Sequence, residues 1–186
     1  MAHKLCPWWL GYFLASPVRR LWQDPRGILQ PYVTPGMKVL EPGPGMGFFT
    51  LELARLVGPQ GRVVAIDVQP RMLSGLQRRA ARAGLAGQIE CRQAMPDRLG
   101  TDDLQATVDF VLAFALVHEL PDQAGFFAES ARALKTGAGM LVAEPTGHVS
   151  KQAFEQSLAL ADKAGLSAGP TPRIRSSHAA LLRKRG

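Results

Sequence analysis

The sequence predicts an α/β domain built on a mostly parallel sheet with helices on both faces. Short β-rich runs alternate with helical stretches along the chain, and a glycine-rich turn joins the first strand to the first helix of that alternation. A carboxylate closing the second strand, 20 residues after the last glycine of that turn, completes the pattern.

The first strand is expected at residues 37–41 (MKVLE), followed by a helix over 48–57 with Phe49, Leu53 and Leu56 at helical spacing. Residues 62–67 (RVVAID) read as a buried second strand. Pro70 opens the next helix, where a missing N–H costs little, and Gly84 stands where a helix would stop. Residues 88–92 (QIECR) are a weaker third strand and 108–114 (VDFVLAF) an apolar fourth. A helix over 122–134, a fifth strand over 139–143 (GMLVA) and a helix over 151–163, stopped by Gly165, follow in order. Residues 173–175 and 179–182 are expected to close the sheet as an antiparallel pair. Ahead of the first strand lies an N-terminal extension, with a short helix starting at Pro25 and Asp24 as its cap.

A chain of 186 residues fits one domain with one core, 1–186, in which residues 1–33 are an extension. Apolar residues make up 46% and charged residues 20%, an ordinary globular balance, and no apolar run is long enough for a membrane span. Residues 1–15 loosely resemble a secretory signal, but Pro7 interrupts the apolar stretch, and Trp8, Trp9, Tyr12 and Phe13 suit an amphipathic cover better. Cys6 and Cys91 make no disulfide framework, and no Cys/His spacing suggests a metal site, so a reducing, cytoplasmic setting is expected. The net charge of +7 could serve nucleic acid, a membrane surface or an acidic partner. The arginines are scattered, however, and Arg71, Arg78, Arg79 and Arg82 fall at the spacing of an exposed helix face, so solvation is the favoured reading.

The segment most informative about chemistry is Glu41-Pro42-Gly43-Pro44-Gly45-Met46-Gly47. Its glycines let the backbone turn sharply and admit a ligand close to the main chain. The helix start beyond offers unpaired N–H groups. Asp67 is placed to accept two hydrogen bonds from a ribose diol. Dinucleotide enzymes share this outline, but their fingerprint needs a glycine at position 48, where this chain has Phe48. Glu41 beside the loop would repel a pyrophosphate and favour the ammonium and sulfonium of S-adenosylmethionine.

On these residues the sequence resembles the class I S-adenosylmethionine-dependent methyltransferases, in particular the type-11 group that includes the ubiquinone/menaquinone biosynthesis enzymes. The resemblance covers about residues 32–186. It is carried by VLEPGPGMGFFTLELA (39–54), VVAIDV (63–68), VDFVLAFALVHEL (108–120) and RALKTGAGMLVAEP (132–145). It implies a Rossmann-like, seven-stranded sheet with an antiparallel last strand. It also implies S-adenosylmethionine as cofactor and S-adenosylhomocysteine as product.

Carried onto this chain, the resemblance places the methionine part of the cofactor against Gly43, Pro44, Gly45 and Gly47, with Glu41 beside them. Asp67 would take the ribose hydroxyls and Val68 would pack on the adenine. Where the family commonly has Gly-Asp-Ala after its third strand, this chain has Gln93-Ala94 preceded by Arg92. Gln93 can accept from the adenine amino group and the Ala94 N–H can donate to the ring. Ala113 and Phe114 would flank the transferring methyl.

His118 is the first candidate for a catalytic side chain, as a group that orients the acceptor or takes its proton, against a purely structural histidine at a helix start. Glu144 is the second, against a loop-capping carboxylate, and His148 a weaker third.

In-line transfer from an activated sulfonium requires alignment and exclusion of water more than a protein nucleophile. A small or lipid-like acceptor is expected, since no inserted domain is available to recognise a macromolecule. An RNA methyltransferase and a non-catalytic cofactor-binding protein are the alternatives. Nucleic acid is disfavoured for want of a binding module, and the two cysteines argue against an arsenic-type acceptor. Neither the acceptor atom nor the oligomeric state is legible. Trp8, Trp9 and Trp22 all lie in the extension, which is expected to close over the pocket as a lid.

Overall fold

The computed structural model describes residues 23–95 and 98–186. Of the 1–33 extension expected to act as a lid, residues 1–22, which hold all three tryptophans, lie outside the described residues. The described strands form a seven-stranded mixed sheet, mostly parallel with an antiparallel end. The described chain forms two compact units, residues 23–94 and residues 95–186.

In the first unit, helix α1 (Pro25–Leu29) begins as expected, with the Asp24 side chain accepting from the Arg26 N–H and Pro25 in its first turn. Strand β1 (Lys38–Pro42) pairs in parallel with β2 (Arg62–Asp67), and β2 pairs in parallel with β3 (Ile89–Gln93). Val39, Leu40, Val63, Val64, Ala65 and Ile66 are all buried, as the continuous apolar runs of a strand covered on both faces require. Helix α2 (Thr50–Val57) starts two residues later than expected. Gly47 sits at φ +83° and its N–H donates to the Pro44 carbonyl, so the chain is still turning at Phe48 and Phe49. Helix α3 (Pro70–Arg82) turns Met72, Leu73, Leu76 and Ala80 inward, with Arg71, Arg78 and Arg82 outside.

In the second unit, β4 (Val108–Phe114) runs parallel to β5 (Leu134–Pro145), and β5 pairs antiparallel with β7 (Ser177–Lys184). Helix α4 (Gln123–Ala133), capped by Asp122, runs directly into β5, which is much longer than the expected 139–143. The first half of that length is irregular. Val108 pairs with Leu134 and Phe110 with Gly139, so the residues between bulge out of register, with Gly137 at φ +76°. Helix α5 (Lys151–Lys163) is capped by the Ser150 hydroxyl.

The closing pair is antiparallel as expected, but one of its members is β6 (Leu166–Ala168), not residues 173–175. Leu166 is fully buried, while Arg173 and Arg175 are exposed. Pro172, directly before them, lacks the N–H a ladder needs. Among the described residues, no helix is long and apolar enough to cross a membrane.

Candidate functional site

Two constellations carry the residues singled out by sequence. The first is the turn between β1 and α2. Gly43, Gly45 and Gly47 have φ of +66°, +54° and +83°, so every second residue of the loop is left-handed. Side-chain-bearing residues adopt that conformation at a cost of roughly 1–2 kcal/mol each, which explains the glycine spacing. Among the described residues nothing lies within 4 Å of where a Gly45 Cβ would be, whereas a Cβ on Gly47 would run into the Leu76 side chain. Gly45 is thus left clear by the described residues, and Gly47 is glycine because α3 packs against it.

Asp67 holds this loop. One carboxylate oxygen accepts from the Gly45 N–H at 3.3 Å and the other from the Gln69 N–H at 2.9 Å. Each carboxylate oxygen has two lone pairs, so these bonds are compatible with a diol donating to the same group. Arg79 donates to the Met46 carbonyl, bracing the loop from the helix that packs beneath it. Sequence reasoning assigned Arg79 to a solvated face. Its position one turn after Leu76, which touches the loop, was the available signal.

Glu41 is 4% exposed, and among the described residues its Oε2 has no hydrogen-bond partner. Burial pushes its carboxyl up to about 8, and the Asp67 charge adds to the rise. The nearby Thr50 hydroxyl opposes that rise without reaching hydrogen-bonding geometry. A buried carboxylate oxygen lacking a donor among the described residues, beside a loop they leave clear at Gly45, fits a ligand that brings an ammonium or sulfonium.

Val68 is half-buried and Gln93 exposed at the adjoining ends of β2 and β3. The Ala94 N–H, expected to be available to a ring, instead donates to the Asp67 carbonyl at 3.0 Å. It continues the β2–β3 ladder by one step, and its donor is occupied.

The second constellation lies where β4 ends. Ala113 is fully buried and Phe114 half-buried. Ala115 follows at φ +53°, unusual for a residue with a Cβ, and its N–H donates to the Ala143 carbonyl at 2.7 Å. This kink aims the next two N–H groups at Glu144. Glu144 Oε1 accepts from Leu116 N–H at 3.1 Å and Val117 N–H at 2.8 Å, and its Oε2 accepts from His118 Nδ1.

Glu144 is 2% exposed, so it is the buried cap of the 117–119 turn and not a group open to an acceptor, as its catalytic reading required. His118 lies in that turn with its side chain 23% exposed. Its hydrogen bond to Glu144 raises its pKa, burial lowers it, and the charges of Glu144 and Glu119 raise it further. The exposed His148 ring is 5.9 Å from that of His118.

The fold and the loop define a Rossmann-like domain that binds a nucleoside-bearing cofactor. Residues 33–170 match the methyltransferase-domain family model, and the chain belongs to the class I S-adenosylmethionine-dependent methyltransferase family, type-11 group.

Among curated proteins it is 31% identical over 147 residues to the ubiquinone/menaquinone biosynthesis C-methyltransferase of Marinomonas sp. (strain MWYL1), covering 77% of this chain and 57% of that one. It is 33% identical over 143 residues to the ubiquinone biosynthesis O-methyltransferase of Methylocella silvestris, covering 76% and 53%. The chain thus spans about half the length of these curated relatives. A solved structure titled a SAM dependent methyltransferase from Aquifex aeolicus superposes with a TM-score of 0.85 at 25% identity, covering 96% of this chain and 98% of that one.

Proposed function

We propose that this chain transfers a methyl group from S-adenosylmethionine to a small or lipid-like acceptor. The observation that carries the reading is the buried oxygen of Glu41, unpartnered among the described residues, beside a left-handed glycine loop that Asp67 fixes in place. When bound, the cofactor supplies a methyl carbon activated by a positively charged sulfur.

The chain's own residues bind and orient it. Glu41 balances the ammonium end, and Gly43, Pro44, Gly45 and Gly47 keep side chains out of the methionine path. Asp67 takes the ribose hydroxyls, while Val68 and Gln93 line the base. The curated relatives' names, one a C- and one an O-methyltransferase of ubiquinone biosynthesis, support a ring-bearing acceptor of modest size.

A methyl-transfer screen with labelled S-adenosylmethionine across small phenols, quinol lipids and RNA tests this. Label transfer to a small or lipid ring compound is expected. Transfer to RNA alone, or to nothing in the presence of demonstrated cofactor binding, would contradict it.

A further inference from the structure

We propose that one end of the second unit, formed by Arg132, Lys135, Lys163, Arg183, Lys184 and Arg185, docks the phosphate backbone of a nucleic-acid duplex. The inference stands apart from the methyl-transfer reading, and the duplex is a partner, not an acceptor. It starts from where the charge of the chain lies. Residues 163–186 contain Lys163, Arg173, Arg175, Arg183, Lys184 and Arg185 and not one Asp or Glu. Elsewhere basic and acidic residues nearly cancel, so almost all of the net +7 falls in this closing segment.

The fold gathers four of those cations at one place. Strand β7 ends in Arg183 and Lys184, and Arg185 follows. Arg183 donates to the Gly137 carbonyl at 3.0 Å and Lys184 to the Leu134 carbonyl at 2.6 Å, so both charges are steadied by backbone oxygens. Alternation along the strand sets the two on opposite faces of the sheet. Arg185 pairs with Asp162 at 2.6 Å and its N–H donates to the Gly165 carbonyl, which brings it to the end of α5 beside the exposed Lys163. Two more cations join them. Arg132, exposed in the last turn of α4, lines one surface cleft with Lys184 and Ala164. Lys135, exposed next to Leu134, pairs with Asp109 at 2.6 Å. This is the end where β4 and β5 begin, and Phe114 and Pro145 stand at the other.

The carboxylates nearby do not cancel this charge. Asp109 and Asp162 are taken by Lys135 and Arg185. Glu129 lines the cleft but accepts from the Leu99 and Gly100 N–H groups at 3.2 and 3.0 Å. Asp122 borders the cleft from the other end of α4, which it caps. Among the described residues, Arg132, Lys163, Arg183 and Lys184 have no ion pair with a carboxylate. Two structural roles for such cations fall short. Complementing a helix dipole accounts for Arg132 and Lys163 in their last turns, but not for three consecutive cations on a strand. Guarding a sheet edge would place charge on β6, the outer strand of the closing pair, yet its Leu166, Ser167 and Ala168 carry none.

The surroundings of the cations select the partner. Residues 163–186 contain no Phe, Tyr or Trp. Among the described residues the exposed large apolar side chain is Met95, which is not part of this surface. Single strands are held by stacking bases on aromatic rings, and lasting attachment to a bilayer needs an apolar anchor beside the basic patch. A duplex needs neither, because its phosphates alone carry non-specific binding. Duplex DNA presents one negative charge per ~1.7 Å of axis, so the ~10 Å spanned by three neighbouring strands such as β5, β7 and β6 faces about six of them. Guanidinium groups such as those of Arg132 and Arg183 offer a phosphate two parallel donors.

Fluorescence anisotropy of the full chain with end-labelled DNA and RNA duplexes of about 20 base pairs, titrated at about 50 to 200 mM salt, tests this. With four cations neutralising phosphates, the logarithm of the DNA affinity should fall against the logarithm of salt with a slope of about −3.5, a loss of about 100-fold over that range. Binding of one duplex alone with a slope of that size supports the proposal and assigns the phosphates to DNA or to RNA. The triple variant Arg132→Gln, Lys163→Gln and Arg183→Gln should flatten the slope by about 3 and weaken binding about 100-fold or more at about 50 mM salt. The charge-keeping exchange Arg132→Lys, Lys163→Arg and Arg183→Lys should bind within about threefold of the wild type. So should Arg173→Gln with Arg175→Gln, which neutralises the two arginines ahead of β7, at its other end. Equal losses in the two neutralised variants would overturn the assignment of the surface. Four results with the wild type alone would overturn the proposal: no binding of either duplex at about 50 mM salt, a slope shallower than about −2, tighter binding of a single strand of equal length, or binding to phosphatidylserine vesicles without binding to a duplex.

Discussion

Replacing Asp67 by Asn tests the loop and the cofactor together. The side chain keeps its shape, loses its charge and turns one acceptor oxygen into a donor. The bond to Gln69 N–H is the shorter, 2.9 Å against 3.3 Å, so the amide oxygen should stay there and the NH2 should meet the Gly45 N–H donor to donor. The lost charge-assisted bond at Gly45 is long, so the low end of the usual ~1.5–3 kcal/mol applies to stability. For a chain of 186 residues that lowers the melting temperature by about 3–6 °C. The ribose hydroxyls lose the same carboxylate at a water-poor site, so the full range applies to binding, which weakens affinity about 10- to 150-fold. Thermal unfolding followed by circular dichroism and calorimetric titration with S-adenosylhomocysteine give the two readouts. A folded Asp67→Asn protein that melts lower but binds normally would show that Asp67 serves the loop alone, and the ribose assignment would be wrong.

The same geometry sets four further outcomes. Glu41 has a folded-state pKa raised from 4.5 to about 8, so the folded protein keeps a proton that the unfolded chain releases. Its stabilising contribution is full below about pH 4.5 and is lost as pH rises to about 8, at up to roughly 1.4 kcal/mol per pH unit; Glu41→Gln should flatten that part of the stability profile. Cofactor binding to the wild type at pH 7 should release a proton, seen as a calorimetric heat that varies with the buffer's ionisation enthalpy and ceases to vary in Glu41→Gln. Gly47→Ala should destabilise by about 2–5 kcal/mol, from its left-handed backbone and a clash with buried Leu76, while Gly45→Ala should cost only the backbone's ~1–2 kcal/mol in chemical denaturation. Ala115→Gly should stabilise the protein by about 0.5–1 kcal/mol, since glycine relieves the positive φ at some entropic cost, and an unchanged or lower denaturation midpoint would speak against strain there.

The sheet's centre and the loop were legible because they are written in local sequence. The buried strands are continuous apolar runs, and the loop's glycines fall on the residues that the backbone turns left-handed. Asp67 was found from its distance to the loop, but its bond to the Gly45 N–H was not, because that contact joins residues 22 positions apart. Arg79 was misread for the same reason: its partner, the Met46 carbonyl, has no side-chain signature.

Glu144 illustrates a harder limit. A carboxylate ending a strand can cap a turn or meet a substrate, and the choice depends on the Ala115 kink, which alanine does not announce. The edge of the sheet was misassigned because arginine-flanked Ile174 has the alternation of a strand, while the fully buried Leu166 stands in only a three-residue one. The bulge in β5 holds Gly137 at φ +76°, within a stretch that the expected strand over 139–143 left out.

The central claim is that the loop at Glu41–Gly47 and Asp67 receives S-adenosylmethionine and not a dinucleotide. Parallel calorimetric titrations of the full chain with S-adenosylmethionine, S-adenosylhomocysteine and NADH test it most directly. The account predicts saturable one-to-one binding of the two adenosyl compounds, weakened in Asp67→Asn, and no heat of binding with NADH. Saturable binding of NADH with none of either adenosyl compound would contradict it.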